Sequence, residues 1–190
     1  MERAHFHPAS SDGYAELERQ LSTLVASYPP PFIYVHDPCT PRIATSTILK
    51  TLSSLKNDGT HLAFAHINAV ASFNPRLLYD NALNALADWS PDWDDGCANW
   101  TGPLEGTSQR FNESFDGFTH GLRALVAELS SKRESPSVNG KGKSKATIEE
   151  DNDLRLVLMV ERAERLKETM PDLLAPFARL RELVSAGYLL

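Results

Sequence analysis

Two short stretches carry residue types that could do chemistry. The first reads Val35-His36-Asp37-Pro38-Cys39-Thr40-Pro41-Arg42 and lies between a short apolar run and an amphipathic segment that begins at Ile43. A phosphate-binding loop of the form GxxxxGK[ST] occupies this position, between a strand and a helix. There, consecutive backbone N–H groups cradle a phosphate, the lysine neutralises it and the hydroxyl holds Mg²⁺. In this chain both glycines are gone, Pro41 stands at the lysine position and Arg42 at the Ser/Thr position. Pro38 and Pro41 have no N–H to give, and Asp37 would repel a phosphate. Arg42 could still make one charge-assisted contact to phosphate, about 1.5–3 kcal/mol net, against the many contacts of an intact cradle.

The second stretch follows the apolar run that begins at Leu154: Glu161, Arg162 and Glu164. A carboxylate just past the end of a buried strand is where α/β proteins place ligand-facing groups. Such acids can order Mg²⁺ and polarise a water. An arginine cannot serve as the base, so Arg162 leaves Glu164 as the nearby substitute, better placed for Mg²⁺ coordination than for general-base work. The competing reading is an acidic helix start favoured by the helix dipole.

The remaining candidates have plainer readings beside the sharp ones. His36, His61, His66 and His120 share no metal-ligand spacing and read as surface or polar-core residues. Trp89, Trp93 and Trp100 could form a contact surface, or pack the loop around them. Lys132, Arg133, Lys141, Lys143 and Lys145 could form a nuclear-localisation patch and Ser135-Pro136 a phosphorylation site; the alternative is a solvated linker.

The elements that must hold these residues come next. A chain of 190 residues, 42% hydrophobic and 23% charged, is long enough for one domain with a sizeable core. No apolar run approaches a bilayer span. The N-terminus MERAHFHPASSDG lacks an apolar signal core, and two cysteines make no disulfide framework, so a reducing, intracellular location is expected. The Asn99 and Asn112 glycosylation sequons then read as chance. A net charge of −6 argues against DNA binding through a general basic surface.

Residues 1–13 read as a disordered terminus. Residues 14–28 form an amphipathic helix through Leu17, Leu21, Leu24 and Val25, stopped by Pro29, Pro30 and Pro31. Residues 32–35 (FIYV) read as a buried strand. Residues 43–56 form a helix with Ile43, Thr47, Ile48, Thr51, Leu52 and Leu55 inward. Residues 62–70 form a second strand candidate. Asn74 caps a helix that has Pro75 at its first position and runs to Trp89. Residues 90–110 are a long loop, and 111–129 a helix weakened by Gly117 and Gly121. Residues 131–153 hold almost nothing that could be buried and read as a disordered insert. Residues 156–160 are a strand buried on both faces, and a single helical stripe follows through Leu173, Leu174, Phe177, Leu180, Leu183 and Val184.

Strands separated by helices predict a parallel α/β sheet covered by helices on both faces. Residues 32–35 and 156–160 are expected in its middle, with 62–68 toward one edge.

Three blocks of this chain resemble subunit 5 of the eukaryotic origin recognition complex in order and approximate spacing: FIYVHDPCTPRIATSTILKTL, INAVASFNPRLLYDNALNAL and LVLMVERAERLKETMPDLLAPFARLREL. Leu17-Glu18-Arg19-Gln20 resembles the short box preceding the phosphate loop in that family. The resemblance covers about residues 14–184 and implies a partial AAA+ module. It places residues 35–42 at Walker A with none of the key residues kept, Glu161 at the Walker B aspartate, Glu164 at the second acid, and Arg162 where active ATPases carry a glutamate. It implies a nuclear protein of DNA replication that binds the other subunits, meets origin DNA through the complex and uses no membrane. ATP and Mg²⁺ are the family's cofactors, and the lost cradle residues argue against hydrolysis here. Set against that family, the chain is expected to lack the sensor strands, lid and winged helix, so that residues 14–190 form a partial AAA+ domain. Two other readings stay open: an ATP-binding P-loop ATPase with an altered cradle, and an α/β interaction domain unrelated to replication.

Overall fold

The computed structural model describes residues 11–27, 29–90, 99–102, 110–134 and 154–185. The chain divides into two compact units, residues 1–60 and 61–190.

The first unit pairs two helices, α1 (Ser11–Ser27) and α2 (Pro41–Asn57). Leu21 and Val25 of α1 and Ala44, Thr51 and Leu52 of α2 are buried. Thr51 tolerates burial because its hydroxyl donates to the Thr47 carbonyl at 2.8 Å, one turn back. The helix α1 starts inside the stretch expected to be disordered; residues 1–10 lie outside the described residues. Ile43, expected inward, is half exposed.

The expected strand at residues 32–35 is absent. These residues are irregular, and Phe32 and Tyr34 are 58% and 70% exposed. Propensity supplies a surface that fits a sheet, but a strand exists only when its N–H and C=O groups are paired. Four residues between Pro31 and a Pro-containing loop cannot build a ladder alone.

The second unit holds a two-stranded parallel sheet of β1 (Leu62–Asn68) and β2 (Arg155–Glu161), with Ala65 opposite Leu158, Ile67 opposite Val160 and Asn68 opposite Glu161. Between them run α3 (Pro75–Leu86) and α4 (Phe115–Glu134). Side chains alternate along each strand. Ala63, Ala65 and Ile67 on β1, with Leu156, Leu158 and Val160 on β2, form the packed face. It lies in one core with Leu78, Leu83, Phe118 and Leu125 of the two helices. Phe64, His66, Asn68, Val157, Met159 and Glu161 take the other face. Among the described residues, the helices of this unit that share this core pack on that first face, where helices on both faces were expected. Every residue of β2 is only partly buried, not buried on both faces as expected.

The caps follow the sequence closely. Asn74 accepts from the Leu77 N–H at 2.9 Å and Pro75 opens α3. Ser114 accepts from the Gly117 N–H at 3.0 Å, so α4 begins at Phe115 rather than at 111. It runs on through Ser131–Glu134, where Lys132 pairs with Glu128 at 2.6 Å; these four residues were expected in the insert, whose remainder, 135–153, lies outside the described residues. Gly121 is a packing requirement rather than a weakness: a Cβ there would lie 3.0 Å from Leu83 Cδ1 and from Phe111 Cβ.

After β2 the single helix expected from the apolar stripe is replaced by short pieces: 3-10 turns at Ala163–Arg165 and Pro171–Leu173, and helices α5 (Leu166–Thr169), α6 (Leu174–Ala178) and α7 (Leu180–Ser185). Pro171 and Pro176 each remove a helical N–H, and Arg179 leaves helical geometry at φ −109°, ψ 11°. The stripe still works in part. Leu173 is buried and Phe177, Leu180 and Val184 pack on the core, but Leu174 is exposed. The Phe177 ring meets Phe118 and Phe115 edge-on at centroid distances of 6.2 and 6.0 Å.

Candidate functional site

The loop at residues 35–42 is organised by Asp37. Its Oδ1 accepts from the backbone N–H of Cys39 at 3.0 Å and of Thr40 at 2.9 Å. Its Oδ2 accepts from the Tyr14 hydroxyl at 2.6 Å and from the Thr40 hydroxyl at 3.0 Å. The two hydroxyls also lie against each other. The Tyr14 hydroxyl and then the Thr40 N–H hold the Asp37 carboxyl down to about 2, so it stays ionised across the working pH range. The same contact pushes the Tyr14 phenol up from its ordinary value. Thr40 precedes α2, and its carbonyl accepts from the N–H groups of Ile43 and Ala44. Pro41 opens the helix, and Pro38, Cys39, Pro41 and Arg42 are exposed. Val35 and His36, the first two residues of the loop, are both exposed, with the His36 imidazole stacked near Tyr34 at 6.2 Å between centroids.

The residues of this loop do not fit a nucleotide phosphate. The two N–H groups a phosphate would seek are engaged by a carboxylate from the same loop, and two further positions are proline.

The carboxylates sit at the carboxyl end of β2, in the second unit. Glu161 is the last residue of the strand, on the face away from the core. Its Oε2 lies 3.2 Å from His66 Nε2 and accepts from Asn68 Nδ2 at 3.3 Å. Both partners come from β1, two residues apart and therefore on one face. Asn68 is oriented by a second bond, since its Oδ1 accepts from the Val70 N–H at 2.9 Å. Arg162 follows in left-handed geometry at φ 60°, ψ 40°. A side chain in that region costs about 1–3 kcal/mol. The Arg165 N–H bonding to its carbonyl at 2.9 Å helps hold it there. Its guanidinium Nε meets Glu164 Oε1 at 3.0 Å. Arg162 and Glu164 thus pair with each other on the exposed side of the turn, and Glu161 pairs back onto β1.

His66 and Asn68 were not among the site residues read from the sequence. The signal was available in the alternation of β1: Ala65 and Ile67 point inward, so His66 and Asn68 must share the outer face with the residue opposite them.

Trp100, His120 and Asn112 have partners within the fold. Trp100 is buried, its backbone N–H donating to Asn84 Oδ1 at 2.8 Å and its ring stacked near Phe111. Trp93 lies outside the described residues, as do Lys141, Lys143, Lys145 and Ser135. His120 faces Asp116 at 3.7 Å. Asn112 is buried with its amide donating to both oxygens of Asp80 at 2.8 and 3.0 Å, which makes it a poor glycan acceptor. Among the described residues no helix is long and apolar enough to cross a membrane.

No protein-family model matches the chain, and no solved structure matches it. The chain is 29% identical over 157 residues to origin recognition complex subunit 5 of Homo sapiens, an alignment that covers 83% of this chain and 27% of that protein. It spans about a quarter of the length of this curated relative. At this distance the likeness points to an α/β chain similar to that subunit.

Proposed function

We propose that the chain acts as a structural, protein-binding AAA+ module of the origin recognition complex, of the subunit 5 type. It works in the nucleus in the initiation of DNA replication. The observation that carries this reading is the alignment with the human subunit over 83% of the chain. The parallel pairing of β1 and β2, with Glu161 at the carboxyl end of its strand, supports it, because ligand-facing acids of parallel α/β sheets stand there.

The module is not an enzyme in this proposal. Residues 35–42 take the Walker A place, and a loop with Pro38, Pro41 and Arg42 offers neither the run of backbone donors nor the lysine and hydroxyl that ATP and Mg²⁺ require. Glu161 and Glu164 take the Walker B places, and Arg162 stands where a water-activating glutamate would be needed. The contribution of the chain is surface: it holds neighbouring subunits, and origin DNA is met through them. The net charge of −6 agrees with a partner that leaves phosphate contacts to others.

The test is affinity purification of the tagged chain from nuclei of its own cells, with the bound proteins quantified by mass spectrometry. The reading predicts other origin recognition complex subunits in comparable amounts. Their absence would favour an α/β interaction domain unrelated to replication.

A further inference from the structure

The disagreement between the loop and a nucleotide phosphate has a specific cause. We propose that Asp37 is a built-in anion: its carboxylate takes the seat before α2 that a phosphate takes in an intact cradle, closes the loop on itself and tethers it to α1 through Tyr14. The proposal rests on reading residues 35–42 as a degenerate phosphate loop.

Four donors converge on this one carboxylate. The Cys39 and Thr40 N–H groups reach Oδ1, and the Tyr14 and Thr40 hydroxyls reach Oδ2, all within 3.0 Å. The two N–H groups are committed to Asp37 alone, while the two hydroxyls share their protons among Asp37 and each other. An N-cap side chain ordinarily serves the N–H groups of the first helical turn. Asp37 instead collects donors that precede Pro41, the first residue of α2, and the fourth partner comes from another helix, 23 residues earlier in the chain. A negative charge there is also favoured by the α2 dipole. The loop therefore keeps its shape without a nucleotide. An incoming phosphate would have to displace Asp37 from its donors and then lie beside its charge. The device is autoinhibitory: the chain supplies its own occupant.

The experiment uses the full chain and follows amide hydrogen exchange at Cys39 and Thr40, with and without millimolar inorganic pyrophosphate. Asp37→Ala should speed exchange at both amides by about tenfold or more, the scale of losing a charged acceptor. Asp37→Asn keeps an acceptor oxygen and the local turn but removes the charge; it should give a smaller acceleration, and it serves as the readout if the alanine variant does not fold. Tyr14→Phe should loosen the loop less than Asp37→Ala. Pyrophosphate should leave the native loop unchanged and slow exchange once the carboxylate is removed. Native exchange rates in Asp37→Ala, or equal protection by pyrophosphate with and without Asp37, would overturn the proposal. Failure of the chain to purify with replication subunits would remove the functional reading and leave these rates untouched. Unchanged rates would remove the built-in anion and leave the co-purification as it stands.

Discussion

Residues 32–35 and strand β2 are written in the same alphabet, and they end differently. FIYV and RLVLMVE are both short, apolar and rich in β-forming residues. The first lies irregular and exposed, and the second pairs with β1 along its whole length. What separates them is a partner. β2 has a parallel neighbour and a core face supplied by α3 and α4, whereas residues 32–35 have no strand pairing among the described residues. Apolar content states what a segment would gain on burial; it does not supply what buries it.

Substitutions can sharpen or break this contrast. The largest effect is expected where the core behind the sheet is fully closed. Phe118 is inaccessible and stacks on Tyr79 at 4.8 Å, so Phe118→Ala should cost about 3–5 kcal/mol in a denaturant titration. A cost near zero would mean that this unit is not packed as described. Overfilling comes next. Gly121→Ala should cost about 1–3 kcal/mol, because Leu83 and Phe111 stand in the way; unchanged stability would show that α4 can shift. Removing the Asn74 cap in Asn74→Ala should cost about 1 kcal/mol, read as a lowered melting temperature. The smallest effect belongs to the exposed segment. Phe32→Ser and Tyr34→Ser should each lie within about 0.5 kcal/mol of the native chain. A loss on the scale of Phe118→Ala would mean that residues 32–35 are buried in the folded chain after all.

The same contrast marks how far the sequence could be read. Local chemistry was legible: Asn74-Pro75 as a helix start, β1 and β2 as parallel strands separated by helices, the carboxyl end of β2 as the place for Glu161. Features set by neighbours were not. Gly121 looked like a weak point in a helix and is where Leu83 and Phe111 approach closely. The stripe from Leu173 to Val184 looked like one helix, and Pro171, Pro176 and the turn at Arg179 divide it. The prolines within residues 35–42 and the carboxylates after β2 are plain from residue types. The pairing of Glu161 with His66 and Asn68 needed the strand register. The role of Asp37 needed Tyr14, which stands 23 residues away.

In the function proposed above, the chain works through contacts and not through a nucleotide. Equilibrium titration of the chain with a fluorescent ATP analogue and Mg²⁺ tests it most directly. The account predicts no saturable binding at ordinary P-loop concentrations. Tight, saturable binding that disappears in Arg42→Ala would contradict it and show an altered but working ATP cradle.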